Sequence, residues 1–272
     1  MKKYNIGFVG SGKMAGAIIK GLLKSDFVPS ENIIATQAEE EGLAEKASAL
    51  GIKVILNNVL LVKKSDVIFI AVKPNQVSDV LKEISPLVTD SKLIVSIAAG
   101  LTTKKLETFL PKGTRVVRVM PNIPALVNEC MCGIVSGSNA KKEDVYYVEK
   151  LFSTIGKSII LEEESQMDIV TAISGSGPAF FYKVMNDIAR AGESLGLDYD
   201  KALLLSIQTA IGSAKMALNR DISMEQLVSN VATKGGCTRV GVDVMEEVNT
   251  ADIFKKIILS TAQKASELGK WY

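Results

Sequence analysis

The feature of this chain that most constrains its fold is a glycine-rich turn at residues 10–15, Gly-Ser-Gly-Lys-Met-Ala. It follows the apolar run at residues 4–9 and opens a segment with apolar residues at helical spacing. A strand, a glycine turn and a helix in this order are typical of the phosphate-binding turn of a dinucleotide site, in which Ala15 would let the helix pack on the sheet. We therefore predict that a dinucleotide binds at this helix N-terminus. A purely structural turn is the alternative.

Short β-rich runs alternate with helix-like segments through the first part of the chain. Helix-like spacing is clear at residues 39–50 and 76–84. This alternation is typical of an α/β domain whose mostly parallel, doubly wound sheet carries helices on both faces. We predict an N-terminal Rossmann domain at residues 1–162. After the first run, the strand candidates are residues 32–36, 67–72, 92–97, 115–119, 133–135 and 158–161.

The pattern changes after the acidic run Glu162-Glu163-Glu164, which we predict to be an exposed connection or a helix start. Beyond it, apolar residues recur about every 3.6 positions, which indicates an all-helical second domain at residues 163–272. Several helices are apolar on more than one face, so we predict a homodimer or larger homo-oligomer that forms through them. The two clearest apolar series are Phe181, Val184, Ile188, Ala191 and Leu195, and Leu204, Ile207, Ile211, Ala214 and Leu218.

Composition argues against several classes of protein. The chain of 272 residues is 47% hydrophobic, but it has no uninterrupted apolar run of about 18 residues, the length that spans a bilayer. It begins without an apolar signal core and has an odd number of cysteines, three, so we predict a cytoplasmic protein. The net charge is only +2, with basic and acidic residues interspersed, which argues against nucleic acid or a membrane as partner. We predict a small-molecule substrate.

The absence of histidine limits the chemistry. The sequence has none, which removes the usual general base and the commonest metal ligand. Cys130 and Cys132 lack further cysteine or histidine ligands, so we predict no metal site. Cys237 would need an activating base or cation to act as a nucleophile, and we do not assign it that role.

The end of the second strand bears on the choice of cofactor. An NAD-specific site usually places an acidic residue there, about 20 residues beyond the glycines. Thr36 and Gln37 stand there instead. Their neutral groups do not repel a 2′-phosphate, and Lys13 would help to neutralise one, whereas the acidic residues at 39–41 oppose it. We predict NADP as cofactor, with NADPH preferred, and NAD is the alternative.

Three further segments follow predicted strands, at the sheet edge where open α/β folds bind their ligands. In Ala71-Val72-Lys73-Pro74, the proline stands where a helix would begin, and a strand stop with a surface lysine is the alternative. In Ile97-Ala98-Ala99-Gly100, small residues would let a flat nicotinamide lie close. In residues 120–124, Met-Pro-Asn-Ile-Pro, two prolines fix a rigid loop that would help to wall the pocket.

Two glycine turns interrupt the helical half. Residues 174–178 read Ser-Gly-Ser-Gly-Pro before a long helix, and residues 233–238 read Thr-Lys-Gly-Gly-Cys-Thr before another. Backbone N–H groups in such turns form anion cradles, so we predict that a substrate carboxylate binds there. A pair of ordinary helix N-caps is the alternative.

In their order and spacing, the glycine turn and residues 71–74, 120–124, 174–178 and 235–238 resemble the pyrroline-5-carboxylate reductase family along essentially the whole chain. The resemblance implies NAD(P)H-dependent reduction of 1-pyrroline-5-carboxylate to L-proline, the last step of proline biosynthesis. It also implies a Rossmann domain followed by a helical dimerisation domain. The chain departs from the family pattern at Lys234, often proline, and at Cys237, often alanine or threonine. Neither change removes backbone N–H groups from the turn.

The resemblance further implies individual site residues. Thr238 is the catalytic candidate, with its hydroxyl near the ring nitrogen, and Glu164 would favour a charged imine electrostatically. The substrate-binding candidates are Glu164, Ser176, Gly235, Gly236, Cys237 and Thr238. The cofactor-binding candidates are Val9, Gly10, Ser11, Gly12, Lys13, Met14, Thr36, Gln37, Asn58, Ala71, Val72, Lys73, Pro74, Ile97, Ala98, Ala99 and Asn230.

Two other functions stay open. A two-domain reductase of the β-hydroxyacid dehydrogenase type usually carries a lysine followed four residues later by an asparagine, a spacing that Lys215 and Asn219 meet. A non-catalytic dinucleotide-binding protein would need the cofactor turn but not the second pair of glycine turns. Reduction of a cyclic imine would distinguish the proposed enzyme from both.

Overall fold

The computed structural model describes residues 4–218 and 221–269, and it contains one eight-stranded sheet. The strands are β1 (Ile6–Val9), β2 (Ile33–Thr36), β3 (Lys53–Ile55), β4 (Val67–Ile70), β5 (Leu93–Ser96), β6 (Arg115–Met120), β7 (Cys130–Ser136) and β8 (Gly156–Ile160). They lie in the order β3-β2-β1-β4-β5-β6-β7-β8. The β6–β7 pair is antiparallel, and the other neighbouring pairs are parallel. The predicted mostly parallel sheet is confirmed.

Helices connect most of these strands, and further helices follow the last strand. The first seven are α1 (Lys13–Lys24), α2 (Leu43–Leu50), α3 (Asn58–Lys64), α4 (Val77–Ile84), α5 (Thr103–Glu107), α6 (Lys142–Phe152) and α7 (Met167–Val170). A π-helical turn, Thr171–Gly175, follows α7. The later helices are α8 (Gly177–Ser194), α9 (Tyr199–Ala217), α10 (Met224–Val231), α11 (Cys237–Glu247) and α12 (Thr250–Gly269).

The sheet has a hydrophobic core on each face, because successive residues of a strand point to opposite sides. In β1, Ile6 and Phe8 belong to the core that includes α1 and α6. Val9 belongs to the other core, with side chains of α3, α4 and α5. Strands covered on both faces are apolar throughout, which explains why they appear as continuous runs in the sequence. The predicted doubly wound architecture is confirmed.

Several predicted boundaries differ from the structure. The three-residue strand β3 was not among the strand candidates, and β7 extends beyond the predicted residues 133–135 at both ends. The helix predicted from residue 39 begins only at Leu43, because Gly42 adopts a left-handed conformation with φ 70°. The helix predicted from residue 76 begins at Val77, after a single 3₁₀ turn at Pro74–Gln76.

Residues 177–260 form a second compact unit, and its described residues are helical apart from short connections. Within it α8 and α9 pack together. The Tyr199 hydroxyl contacts Asn186 Oδ1 at 2.9 Å, and the Arg190 guanidinium lies 4.2 Å from the centre of the Tyr199 ring. The predicted helical character of this half is confirmed.

Large apolar side chains remain exposed in this helical unit. Phe181, Leu204 and Val240 are each about two-thirds exposed, and few residues of the unit are buried. The prediction that these helices carry more apolar surface than one chain buries is confirmed.

The compact unit that contains the sheet extends beyond the last strand. Residues 163–176 and 261–269 group with the sheet rather than with the helices. The boundary between residues 162 and 163 stays a prediction about domain organisation. Across the described residues, no helix is long and apolar enough to cross a bilayer.

Candidate active site

The glycine turn joins β1 to α1 in a conformation that requires glycine. Gly10 has φ 99°, and a Cβ atom placed on it would lie 2.8 Å from the carbonyl oxygen of Ala71 at the end of β4. Beside Gly12, an added Cβ would meet no atom within 4 Å. Gly12 is the N-cap of α1, whose first-turn N–H groups have no carbonyl partner within the helix. Open space beside these donors fits a pyrophosphate.

The other residues of the turn differ in exposure. Ala15 is buried against the sheet, as predicted from its small size, and Lys13 is exposed. Val9 and Ser11 are buried, and Met14 packs partly against the core. Of these side chains, that of Lys13 is therefore the one best placed to reach a charged ligand.

Two more predicted segments lie at the same carboxyl edge of the sheet. The Ala71 N–H donates to the Val9 carbonyl at 2.9 Å, and the Ile97 N–H donates to the Ile70 carbonyl at 3.2 Å. Both segments therefore continue the parallel ladder past the last strand residue. The remaining cofactor candidates here vary in exposure: Val72 and Pro74 are half-buried, Lys73 and Ala99 are exposed, and Ala98 is buried.

The side chain of Thr36, at the end of β2, is already used within the protein. Its Oγ1 accepts a hydrogen bond from the Gly10 N–H at 3.2 Å and donates one to Asn58 Oδ1 at 2.8 Å. The Asn58 amide then donates to the Glu83 carboxylate at 2.8 Å. Because Thr36 is only 2% exposed, its hydroxyl supports the glycine turn rather than facing a ribose.

Gln37 is also engaged by its neighbours. Its amide nitrogen donates to the carbonyl oxygens of Glu39 and Glu41, at 2.6 and 3.1 Å. These bonds hold the loop that carries the acidic residues. Asn58 is the third candidate near this loop, and its amide has one orientation. The Asn58 oxygen accepts from Thr36, so the Asn58 nitrogen is the donor, both to Glu83 and to any ligand nearby.

Glu164 lies at the start of the turn before α7 and is tied to the sheet. Its Oε1 accepts from the Thr103 N–H at 2.7 Å and from the Arg118 guanidinium at 3.0 Å, and its Oε2 accepts from the Thr103 hydroxyl at 2.7 Å. Arg118 is 2% exposed, and the Glu164 carboxylate is the counter-ion of its buried guanidinium. The acidic run was predicted to be an exposed connection or a helix start, and Glu164 begins the turn that leads into α7. Glu164 is half-buried, whereas Glu162 and Glu163 are exposed.

The loop after β6 contacts the first glycine turn of the predicted substrate site. The Asn122 amide donates to the carbonyl oxygen of Ser174 at 3.1 Å. A Cβ on Gly175 would lie 2.8 Å from the Met120 methyl group. Ser176 is half-buried, and its N–H donates to the Thr171 carbonyl at 2.8 Å.

The second glycine turn precedes α11 in the helical unit. Gly235 has φ 76°, and a Cβ on Gly236 would lie 2.9 Å from the Thr233 hydroxyl. Gly236 is the N-cap of α11, so the N–H groups at the start of this helix are available for an anion. Cys237 is exposed, and Thr238 is half-buried in the first turn.

Two neighbours of this turn are held within the helical unit. The Arg239 guanidinium pairs with the carboxylates of Asp243 and Glu246, at 2.6 and 2.8 Å. Asn230, a cofactor candidate, accepts from the Gln226 amide at 2.8 Å. The helix N-terminus, rather than Arg239, is therefore the main attraction for a carboxylate in this segment.

Two of the three cysteines are buried and one is exposed. Cys130 and Cys132 are buried on β7, where their mutual hydrogen bond and burial raise the pKa of the Cys132 thiol well above its usual range. Within residues 4–218 and 221–269, no group of three or more His, Cys, Asp or Glu residues is arranged to hold a metal ion. Asn219, the partner needed for the alternative lysine–asparagine pair, lies outside the described residues.

Several residues shape this site through contacts that the sequence motifs do not show, although Asn122 lies in the predicted loop at residues 120–124. Arg118, Thr103, Asn122 and Glu83 each hold a candidate residue in place. A charged residue inside the valine-rich run at 115–119 was a usable signal for Arg118, since a buried charge in a strand needs a partner. The other three contact residues that are distant in sequence, and no local sequence pattern predicts such contacts.

Two family models match the chain. Residues 164–268 match the model described as pyrroline-5-carboxylate reductase dimerisation. Residues 5–100 match the model described as NADP oxidoreductase, coenzyme F420-dependent. The two matches lie within the two predicted parts of the chain, residues 163–272 and residues 1–162 respectively.

Full-length similarity extends to individual proteins. The chain is 40% identical over 270 residues to the pyrroline-5-carboxylate reductase of Methanosarcina acetivorans. The aligned region covers 99% of this chain and 100% of that relative. The solved structure of the Coxiella burnetii pyrroline-5-carboxylate reductase has a TM-score of 0.93 at 32% identity, covering 98% of this chain and 99% of that one. The Plasmodium falciparum pyrroline carboxylate reductase, solved with NADP bound, has a TM-score of 0.87 at 31% identity, with 99% of both chains covered.

Proposed function

The chain belongs to the pyrroline-5-carboxylate reductase family, and on that premise we propose that it reduces 1-pyrroline-5-carboxylate to L-proline. The observation that carries the proposal is the 40% identity to a pyrroline-5-carboxylate reductase along the full length of both chains. This reaction is the last step of proline biosynthesis. The similarity favours neither a β-hydroxyacid dehydrogenase nor a non-catalytic binding protein.

The chemistry suits a chain without histidine. A protonated cyclic imine is electrophilic without further activation, so the enzyme needs position and charge complementarity more than a strong acid. When bound, a reduced nicotinamide supplies the hydride that adds to the imine carbon. The residues of this chain bind the two reactants, orient them and hold the charge of the substrate.

The substrate end is assigned to the second glycine turn and to Ser176. Main-chain N–H groups of Gly235 and Cys237 bind the substrate carboxylate, supported by the start of α11. The Gly236 N–H already donates to the Thr233 carbonyl at 3.0 Å, so Gly236 shapes the turn rather than contacting the carboxylate through its N–H. The Thr238 hydroxyl lies at the ring nitrogen and accepts a hydrogen bond from its protonated form. Each of these assignments can be tested by substitution.

Glu164 is assigned an electrostatic role towards the charged imine. Its carboxylate shares its charge with Arg118, which lies 3.0 Å away. The Arg118 guanidinium therefore reduces the net field that Glu164 presents to a cation. We assign Glu164 a smaller share of substrate stabilisation than an unpaired carboxylate would have.

The cofactor end is assigned to the glycine turn and to the ends of β2, β4 and β5. NADPH is preferred over NADH for two reasons. The end of β2 carries neutral Thr36 where an NAD-specific site usually has an acidic residue, and the exposed Lys13 beside the glycine turn can neutralise a 2′-phosphate. Because Thr36 is bonded to Gly10 and Asn58, we assign the ribose contact to the Asn58 amide. The acidic residues 39–41 limit this preference.

The functional protein is a homodimer or larger homo-oligomer that resides in the cytoplasm. The match of residues 164–268 to a dimerisation model supports association through the helical unit. Exposed side chains such as Phe181 and Leu204 provide the apolar surface for it.

A direct assay tests the proposed reaction. Purified protein is mixed with 1-pyrroline-5-carboxylate and either NADPH or NADH, and the loss of reduced-nicotinamide absorbance is followed. We expect sustained turnover with the imine and faster turnover with NADPH. Turnover with a 3-hydroxy acid and NADP⁺, without imine reduction, would contradict the proposal, and so would cofactor binding without turnover.

A further inference from the structure

The helical path into α8 contains a carbonyl group that the helix itself does not satisfy. Pro178 has no N–H, so the carbonyl oxygen of Ser174, four residues earlier, lacks its α-helical donor. The chain forms a π-helical turn at Thr171–Gly175 just before this point. The Asn122 amide, 52 positions away in sequence, donates to the Ser174 carbonyl at 3.1 Å instead.

Asn122 is held in one orientation by a closed ring of hydrogen bonds. Its Oδ1 accepts from the Met131 N–H at 2.9 Å, so its nitrogen must face Ser174. That nitrogen also lies 3.3 Å from Ser174 Oγ, and the Ser174 hydroxyl donates to the Met131 carbonyl at 2.8 Å. Asn122 is only 8% exposed, which shields these bonds from water. We call Asn122, Ser174 and the main chain of Met131 the asparagine–serine lock.

Packing fixes the same turn from a second direction. Gly175 lies against the Met120 methyl group, where a Cβ would come within 2.8 Å. Gly133 of β7 lies against Val170 of α7, where a Cβ would come within 3.0 Å. The turn therefore has little freedom relative to the ends of β6 and β7.

Ser176 leaves this turn with its main chain held and its side chain unused. The Ser176 N–H donates to Thr171 across five residues, the π-helical bond. Among the hydrogen bonds of the described residues, none involves the Ser176 hydroxyl, and Ser176 is half-buried. A hydroxyl with a fixed backbone and no protein partner is a suitable ligand for an anionic substrate. π-Helical turns are frequent at functional sites.

We propose that Asn122 and Ser174 are positioning residues that act through Ser176, aiming its hydroxyl at the substrate carboxylate. The proposal rests on the proposed imine reduction. Neither Asn122 nor Ser174 is assigned a contact with substrate. Their effect on catalysis should therefore depend on the presence of the Ser176 hydroxyl.

A double-mutant cycle tests this dependence. Ser174→Ala should lower kcat/KM for the imine about 10- to 100-fold, the range expected for a misplaced substrate contact. In a Ser176→Ala background, Ser174→Ala should lower it less than threefold further. Ser174→Thr, which keeps the hydroxyl, should restore most of the activity, and the KM for NADPH should change less than twofold.

Ser65→Ala is the matched control. Ser65 is buried, whereas Ser174 is half-buried, and like the Ser174 hydroxyl its hydroxyl donates to a main-chain carbonyl, that of Leu61, at 2.8 Å. It precedes β4 and thus lies at the opposite edge of the sheet from the predicted ligands. We expect both Ser65→Ala and Ser174→Ala to lower Tm, because each removes a hydrogen bond to a main-chain carbonyl, but only Ser174→Ala to lower kcat/KM.

Three outcomes would overturn the proposal. Additive effects of Ser174→Ala and Ser176→Ala would show that the lock does not act through Ser176. If Ser65→Ala lowers kcat/KM as much as Ser174→Ala does, the asparagine–serine lock has only a structural role. If the wild-type protein turns over the imine and either result is found, only the lock is refuted, whereas absence of wild-type turnover refutes the proposed function and the lock with it.

Discussion

Replacing Thr36 by valine tests whether the end of β2 supports the glycine turn or contacts the cofactor directly. Valine keeps the branched shape of threonine but removes the oxygen that binds Gly10 and Asn58. Because Thr36 is 2% exposed, water cannot replace that oxygen easily. A buried polar group left without a partner costs about 1–3 kcal/mol. We expect the free energy of unfolding to fall by about 2 kcal/mol, or about 4–8 °C in Tm.

The same substitution should lower the affinity for NADPH and for NADH to a similar degree. The glycine turn faces the pyrophosphate, which NADPH and NADH share, and the freed Asn58 amide can rotate. We expect Kd to rise about tenfold for each, the equivalent of about 1.4 kcal/mol. Isothermal titration with both cofactors and urea unfolding would measure the two effects.

Thr36→Ser serves as the control, since it retains the hydroxyl, and it should stay within threefold of wild type in both Kd values. A loss confined to NADPH in Thr36→Val would refute this reasoning, because it would place the hydroxyl on the 2′-phosphate. Unchanged stability would show that the Gly10 hydrogen bond contributes nothing.

Three further predictions follow from the other parts of the site. Glu164→Gln should lower the free energy of unfolding by about 3 kcal/mol in urea, since it leaves the charge of buried Arg118 without its counter-ion; an unchanged midpoint would contradict this. Thr238→Ala should lower kcat/KM for the imine about 10- to 1000-fold with unchanged NADPH affinity, and Thr238→Ser should retain most activity. Ile211→Glu should yield monomers or aggregates with little activity. If light scattering shows a monomer and that monomer is fully active, the helical unit is not the interface on which activity depends.

The sequence was sufficient for the architecture because strands covered on both faces are apolar throughout. The runs around β1, β4 and β5 are of this kind, and their predicted positions are close to the observed ones. β3 escaped prediction because three residues, Lys53–Ile55, are too few to display any period. It forms because β2 provides a parallel neighbour, which is information outside the segment itself.

The candidate site was predictable where a residue's role depends on its own backbone, and less so where it depends on a distant partner. The glycine-rich turn at residues 10–15 was predicted from its own residues, and Gly10 within it has φ 99°, a conformation that favours glycine. Thr36 was predicted as a neutral group beside the ribose, but its hydrogen bonds to Gly10 and Asn58 make it a support for the turn. Glu164 similarly gains its environment from Arg118, 46 residues earlier.

The most direct test of the proposed function follows a labelled hydride into the product. The protein is incubated with 1-pyrroline-5-carboxylate and NADPH that carries deuterium at the transferable C4 position, and the product is analysed by mass spectrometry and chiral chromatography. We expect L-proline with one deuterium on the former imine carbon. Unlabelled proline, a labelled product other than proline, or no product would contradict the assignment of this chain as an imine reductase.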